Sequence, residues 1–406
     1  MKKAVYYIAL SLIVFLAAVT ACRKPYAPKL VRQKTGYLVV EGVINSGPNF
    51  TDSTIFHLSR TVALSAKNVS NPELGALVTI HGGNIGAEGY TLYEAGNGYY
   101  KMIGDLELDP NGHYYVTITT TDARVYKSDS VTIKNAPPID SVSWKWEKNG
   151  INIYVDTHDP ANNTRFYQWS TIETYVIRSA LQSDYMLITI PQDTIVPRSP
   201  SQQINQCWVT DTSSTIVLGS SAKLSQDIIN HALVTSVPNQ SEKIFNRYSV
   251  LVKQFALSEG AFNYWQQLKK NSEQLGGVFD PQPSEIPGNI HCISNPSENV
   301  LGYISIGKPS EARIFIDNAV LSGWVSFDPN AFANCGVQPL LFHKMIAPNQ
   351  YTNEVQDLIY SGQEFVLEPI VAPGGVIAGY TASSRECQDC TLRGTNVKPV
   401  FWVDRH

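Results

Sequence analysis

The chain has 406 residues, of which 43% are hydrophobic and only 16% are charged, and its formal net charge is −4. This length is sufficient for two or three ordinary domains. A mildly acidic chain without basic runs is not expected to bind nucleic acid electrostatically. The 21 tyrosines and 7 tryptophans, together with frequent Thr, Val and Ile, favour strands over helices. We therefore predict a mostly β protein.

The first residues have the pattern of a bacterial lipoprotein signal. Lys2 and Lys3 give a positive start, and residues 4–18 form an apolar stretch that is too short to span a bilayer as a stable helix. Small residues then precede an acceptor thiol in Val19-Thr20-Ala21-Cys22. The sequence predicts that residues 1–21 are removed and that acylated Cys22 holds the protein on the membrane.

The next segments are predicted to be a tether and a first β domain. Residues 22–36 contain two prolines and lack hydrophobic periodicity, which is typical of a tether. Residues 37–136 alternate short β-favouring runs with clusters of Gly, Pro and Asn. About seven strands in about 100 residues are typical of an immunoglobulin-like or transthyretin-like sandwich. Pro137-Pro138 marks the end of this domain, because consecutive prolines cannot continue a strand ladder.

Residues 137–406 are predicted to form a second β-rich domain that carries one prominent α-helix. The helix is expected near residues 258–275, since Ser258 can cap it and Gly276-Gly277 can end it. Its apolar stripe consists of Phe262, Trp265 and Leu268. Later strands of this domain are predicted at Val300 to Ile306, Ala312 to Ile316 and Glu364 to Leu367.

Five cysteines follow Cys22, namely Cys207, Cys292, Cys335, Cys387 and Cys390. In an oxidising compartment they could form two disulfides and leave one thiol, with the connectivity open. Cys387 and Cys390 have the spacing of a redox pair, but they lie in a turn-rich tail and do not open a helix whose dipole would acidify a thiol. We predict a structural disulfide from at least one of them to Cys207 or Cys335. A local bridge between Cys387 and Cys390 is the alternative, and a free redox pair is a third.

Two aromatic pairs, Trp144 with Trp146 and Tyr167 with Trp169, alternate along predicted strands and are the candidate ligand-binding residues. They could stack on a sugar or a peptide, although such stripes more often pack one sheet against another. The sequence contains no phosphate-binding loop, dinucleotide fingerprint or nucleophile elbow. No cofactor, metal site or catalytic residue is therefore predicted.

Several motifs in a fixed order resemble the Bacteroidota lipoprotein family called domain of unknown function 4249. They include Gly276-Gly277-Val278-Phe279-Asp280-Pro281, Cys387-Gln388-Asp389-Cys390-Thr391-Leu392-Arg393-Gly394 and Phe401-Trp402. The resemblance implies an outer-membrane lipoprotein that is often encoded beside a TonB-dependent transporter, and it supplies no catalytic residue. Lipoproteins of this phylum that reach the cell surface tend to carry acidic residues after the acylated cysteine. Here Arg23-Lys24 follow Cys22, so the periplasmic and the outer face both stay open.

The sequence supports two hypotheses about function. The first is a non-catalytic accessory lipoprotein of the outer membrane that binds a TonB-dependent transporter or its peptide or glycan cargo. The alternative is an envelope hydrolase acting on peptide or glycan, with its catalytic residues brought together from separate loops.

Overall fold

The computed structural model describes residues 36–47, 54–62, 71–103, 108–189, 194–273, 288–321 and 334–404. The predicted signal, Cys22 and the tether up to residue 35 lie outside the described residues. The described chain is mostly β, which confirms the predicted fold class.

The first part of the chain forms short strands separated by turns. Their bounds are β1 Leu38–Ile44, β2 Ile55–Arg60, β3 Leu77–Gly82, β4 Tyr90–Thr91, β5 Tyr93–Gly96, β6 Tyr99–Lys101, β7 His113–Thr119, β8 Val125–Ser128 and β9 Val131–Thr132.

Longer strands and the main helix follow. They are β10 Ile139–Glu147, β11 Gly150–His158, β12 Phe166–Arg178, β13 Tyr185–Ile188, β14 Thr194–Pro197, β15 Gln206–Thr212, β16 Val217–Ser220, β17 Ile228–Pro238, β18 Arg247–Ala256 and helix α1 Glu259–Glu273.

The last part returns to short strands. These are β19 Ile290–Cys292, β20 Leu301–Gly302, β21 Ser305–Ile306, β22 Ser310–Asp317, β23 Gln338–Leu341, β24 Lys344–Ala347, β25 Gln350–Thr352, β26 Phe365–Val371 and β27 Ile377–Ser383, followed by the short helix α2 Arg385–Gln388. Single helical turns lie at Pro200–Gln202, Glu242–Ile244, Asn318–Leu321, Val355–Ile359 and Cys390–Leu392.

The first strands form a sandwich of two sheets. One sheet has the strand order β20-β1-β2-β6-β5 with β21 also paired to β1, and the other has the order β19-β8-β7-β3-β4 with β9 paired to β7. Each strand points alternate side chains inward. In β7, for example, Tyr114, Val116 and Ile118 are buried and pack in the same core as Leu38 and Phe56 of the facing sheet.

Strands from residues 290–306 complete both sheets of this first sandwich. Strands β20 and β21 pair in parallel with β1, and β19 pairs antiparallel with β8. The buried amide of Asn289 holds the returning chain, because it donates to the Ile304 carbonyl at 2.9 Å and accepts from the Ile304 amide at 2.7 Å. The sheets that begin within residues 37–136 therefore take edge strands from a segment that the sequence analysis placed in the second domain.

The close approach of β20 to β1 requires glycine at Gly302. Its φ is +144°, and an added Cβ would lie 2.3 Å from the carbonyl oxygen of Val40. A residue with a side chain would therefore be strained at this position and would also collide with the neighbouring backbone.

The second sandwich packs the sheet β10-β11-β17 against the sheet β15-β12-β18-β22, in which β16 also pairs with β12. Its core contains Ile153 of β11, Trp169 of β12, Val250 of β18 and Ile316 of β22, which shows that the two sheets face one another.

The predicted helix is present as α1, which lies on the outer face of β12 and begins where the sequence analysis placed it. The Ser258 hydroxyl accepts a hydrogen bond from the Ala261 amide at 3.1 Å and so caps the first turn. Phe262 packs on Phe166 with 4.9 Å between the ring centroids. The predicted end at Gly276-Gly277 lies outside the described residues. Within the described ranges, the helices do not combine the length and hydrophobicity that a membrane span requires.

A small C-terminal lobe follows the second sandwich. Its sheet has the order β23-β27-β26, and its core includes Leu340, Val366 and Tyr380, against which Tyr185 and Ile195 of the β13-β14 hairpin also pack. The lobe therefore combines strands from two distant stretches of the chain.

Two disulfides secure this lobe. Cys335 is bonded to Cys387 within the lobe, and Cys390 is bonded to Cys207 on β15, 183 residues earlier in the chain. The tail cysteines are thus bonded to distant partners, and the local bridge between them is not formed. Cys292 is a free, buried thiol in the first sandwich.

After Cys390 the chain lies across the outer face of the second sandwich. The Arg313 guanidinium sits 3.6 Å from the ring centroid of Phe401, and Trp402 makes edge contacts with Phe315 and Trp208 at 5.5 and 6.3 Å between ring centroids. Cation–π and edge-to-face aromatic contacts of this kind each contribute on the order of 1 kcal/mol. The Phe401-Trp402 motif is therefore a docking element for the tail.

We predict that Cys390→Ser lowers the free energy of unfolding by about 2 to 4 kcal/mol, because it removes the cross-link that restricts the unfolded chain. Urea denaturation of the oxidised protein measures the change. Cys292→Ala is the matched control, because Cys292 is buried but makes no disulfide.

Non-reducing peptide mapping of the oxidised protein should recover two linked pairs, Cys207 with Cys390 and Cys335 with Cys387. Alkylation of Cys387 or Cys390 without a reductant would contradict this assignment.

Candidate binding cleft at the junction of the sandwiches

The two segments that lead from the first sandwich into the second run side by side. The Lys134 amide donates to the Ile306 carbonyl at 2.9 Å, and the Ala136 amide donates to the Lys308 carbonyl at 3.0 Å. The side-chain oxygen of Asn135 accepts from the Lys308 amide at 2.8 Å. The junction is therefore held by a short, parallel hydrogen-bonded pair of segments.

A buried glutamine fixes the first of these segments on the second sandwich. The Gln254 amide nitrogen donates to the Pro137 carbonyl at 2.9 Å and to the Thr157 hydroxyl at 3.0 Å. Its amide oxygen accepts from the indole nitrogen of Trp169 at 2.9 Å. The Ser310 hydroxyl also donates to the Pro137 carbonyl, at 2.7 Å, so both crossing segments meet at this peptide.

A cleft opens at this junction, and we call it the junction cleft. It consists of a pocket of about 240 Å³ and a groove of about 470 Å³, both of which open to solvent. Lys308 lines both parts. Ligand sites occur preferentially at interfaces of this kind between packed units.

The wall of the pocket is mainly apolar and comes from both sandwiches and α1. It includes Phe255, Leu257, Trp265 and Tyr303. Strand alternation explains Phe255, because Gln254 and Ala256 are buried while the intervening residue points to the opposite face. Helix α1 supplies Trp265, and the loop between β20 and β21 supplies Tyr303.

Tyr264 lies behind this wall. Its ring centroid is 5.6 Å from that of Tyr303 and 5.7 Å from that of Trp265. Burial, with a contribution from the Glu41 carboxylate, raises the pKa of Tyr264 to about 12. The Tyr264 hydroxyl therefore stays neutral at physiological pH and adds no negative charge near the pocket.

The polar residues that line the pocket include two lysines, an amide and two serines, namely Lys134, Lys308, Gln168, Ser170 and Ser305. Among the described residues, neither lysine ammonium has a carboxylate partner within ion-pair distance. Glu311 lines the groove, but its carboxylate is 2.9 Å from the ammonium of Lys253. The lining of the pocket is thus mainly apolar and includes two lysines, and the side-chain carbons of Lys308 lie beside Gly47 of the groove.

The aromatic residues predicted to bind a ligand do not form this site. Tyr167 and Trp169 are only 0% and 1% exposed inside the second sandwich, where the Tyr167 hydroxyl donates to Asp227. Their rings pack between the two sheets, which is the commoner role of such stripes, and leave no face free there. Trp144 and Trp146 are half-buried and pack against the same core.

The cleft residues were not predicted from the sequence because they are far apart in the chain. Gly307 gives one local indication of a close backbone contact, because a Cβ added there would lie 1.9 Å from the Lys134 carbonyl oxygen. A glycine alone does not reveal which segment approaches it. Among the described residues, no three His, Cys, Asp or Glu side chains are placed to hold a metal ion together.

The fold and the cleft define a mostly β protein with interlocked sandwiches, a disulfide-closed lobe and a pocket between its parts. The chain belongs to the family described as domain of unknown function DUF4249, whose model matches residues 23–313. That range covers the first sandwich and nearly all of the second, and it ends within β22, before β23.

Two further comparisons add no functional information. No curated protein matches the chain. Among solved structures, the chain is similar to the crystal structure of a mutant Salmonella alpha-2-macroglobulin, with 10% sequence identity and a TM-score of 0.17. The match covers 79% of this chain and 16% of that one. A likeness at this level carries no argument about fold or function.

We predict that Gln254→Met lowers the free energy of unfolding by roughly 2 to 4 kcal/mol, because each buried polar group left without a partner costs about 1 to 3 kcal/mol. The indole nitrogen of Trp169 loses its acceptor, and Pro137 loses one of its donors. Urea denaturation tests this prediction, with Gln266→Met on the exposed side of α1 as the control. Equal stability of the two variants would show that Gln254 does not secure the junction.

Proposed function

We propose that this protein is a lipid-anchored, non-catalytic binding protein of the outer membrane that works with a TonB-dependent transporter and holds its cargo. The observation that supports binding is the junction cleft, which has an apolar wall and two lysine ammonium groups without carboxylate partners among the described residues. None of the described residues that line it is a histidine or an aspartate. The one carboxylate among these described lining residues, that of Glu311, is paired with the ammonium of Lys253 at 2.9 Å, which favours binding over hydrolysis.

The anchor is the acyl group expected on Cys22. The charged start, the apolar run and the small residues before the thiol all support lipidation of the mature N-terminus. Several acyl chains on one residue hold a protein on a membrane durably, since each buried methylene contributes about 0.8 kcal/mol.

The surface proposed for the transporter is the apolar end of the C-terminal lobe. Leu341, the last residue of β23, pairs with Gly379 near the start of β27. The chain therefore leaves β23 for the β24-β25 hairpin at the same end of the sheet as the turn between β26 and β27. This end carries exposed apolar side chains on both hairpins: Met345, Ile346, Tyr351, Val371, Val376 and Ile377. Grouped exposed apolar residues are typical of a surface that another protein covers.

We predict that the wild-type protein incorporates a fatty-acid analogue in metabolic labelling, and that Cys22→Ala abolishes the label and leaves the protein unprocessed or soluble. The thiol of Cys22 is the acceptor in the lipobox, and alanine cannot be acylated there. Cys292→Ala serves as the control and should keep the label. Absence of the label from the wild-type protein would contradict the proposed lipid anchor.

We predict that the native protein co-purifies with a TonB-dependent transporter in mild detergent, and that Ile346→Glu removes the transporter. Ile346 is 62% exposed at the apolar end, so a carboxylate there would be buried without a partner in the complex while the free protein stays folded. Leu224→Glu, at a residue 54% exposed on the second sandwich, is the matched control. Recovery of the wild type as a monomer with no transporter enriched would count against the proposal.

A further inference from the structure

The strongest unexplained feature of the molecule is the combination of charge and apolar surface in the junction cleft. We infer that the junction cleft binds the C-terminal end of a peptide, with the terminal carboxylate at Lys134 and Lys308 and an apolar last side chain in the pocket. This inference rests on the proposed function, because it names the chemical class of the cargo.

The two lysines favour a ligand that carries an anionic group. Both line the same pocket, and among the described residues neither has a carboxylate to neutralise it. An ammonium is a compact point charge with rotatable donors, and it binds a carboxylate through charge-assisted hydrogen bonds. Neighbouring Lys253 and Glu311 satisfy each other at 2.9 Å, so a ligand does not have to displace an ion pair to reach Lys134 and Lys308.

The pocket limits the apolar part of the ligand to a small group. Its volume of about 240 Å³ is below the range of about 300 to 1,000 Å³ that is common for drug-sized ligands. Aromatic residues (Phe255, Trp265 and Tyr303) and aliphatic residues (Val43, Ala256, Leu257 and Ile306) together give it an apolar wall. A space of this size and chemistry suits one apolar side chain at the end of a larger molecule.

The rest of the ligand has a path out of the pocket. The groove of about 470 Å³ shares Lys308 with the pocket and lies along the crossing segments, where its polar and apolar lining includes Asn135, Pro138 and Ser310. Gln168 and Ser170 inside the pocket can donate to and accept from an amide. A peptide has amides beside its terminal carboxylate, whereas a fatty acid has none, and this favours the peptide.

The test is direct binding to the full chain purified in mild detergent, followed by fluorescence anisotropy. The probe is a short Gly-Ser peptide that ends in Phe with a free carboxylate and carries a fluorophore at its N-terminus. We expect it to bind, and we expect the same peptide with an amidated C-terminus to bind at least about tenfold more weakly, the loss typical of a hydrogen bond to a charged group. Replacing the last Phe by Ser should also weaken binding.

Variants locate the interaction in the cleft. Lys308→Gln and Lys134→Gln should each weaken binding of the acid peptide while leaving the amidated peptide unchanged, and circular dichroism confirms that they fold. Lys223→Gln, at an exposed lysine outside the cleft, is the control and should bind like the wild type. Equal binding of the acid and amidated peptides would overturn the inference, as would binding of decanoate in place of the peptide. Absence of peptide binding in a protein that still co-purifies with the transporter would overturn this inference and leave the proposed function intact.

Discussion

The structure depends on the way the chain passes between its two sandwiches. It leaves the first sandwich after β9, returns to it with β19, β20 and β21, and leaves again into β22, which pairs with β18 at the edge of the second sandwich. Each sandwich therefore contains strands that come later in the chain than strands of the other sandwich. The two outgoing segments are hydrogen-bonded to each other, and Gln254 and Ser310 both hold the Pro137 carbonyl. Neither sandwich is therefore built from one continuous stretch of the chain.

This interlocking explains why a cleft can persist between the sandwiches. Two units joined by one linker would be free to change their relative orientation unless a large interface fixed it. Here paired backbone segments and buried side-chain hydrogen bonds fix the walls. The pocket can therefore be largely formed before a ligand arrives, which reduces the ordering cost of binding.

The sequence and the structure agree best where one segment carries its own signal. Helix α1 begins after Ser258 as its cap predicted, and the tail cysteines are bonded to distant partners as their turn-rich context indicated. The sequence leaves more open where two distant segments meet. The aromatic alternation in β12 placed Tyr167 and Trp169 on one face of a strand and left open whether a ligand or a second sheet covers that face, and in the structure a second sheet covers it.

The sequence by itself determined the mostly β character, the main helix, the tail as a disulfide-bonded element and the membership in the DUF4249 family, because each rests on local periodicity, spacing or motif order. Only the tertiary structure decided that residues 290–306 pair with the first sandwich, that Cys207 pairs with Cys390, and that Lys134 and Lys308 share a pocket. The physical reason is that alternation along a strand shows which face is buried, while the partner of that face is set by contacts between residues far apart in the chain.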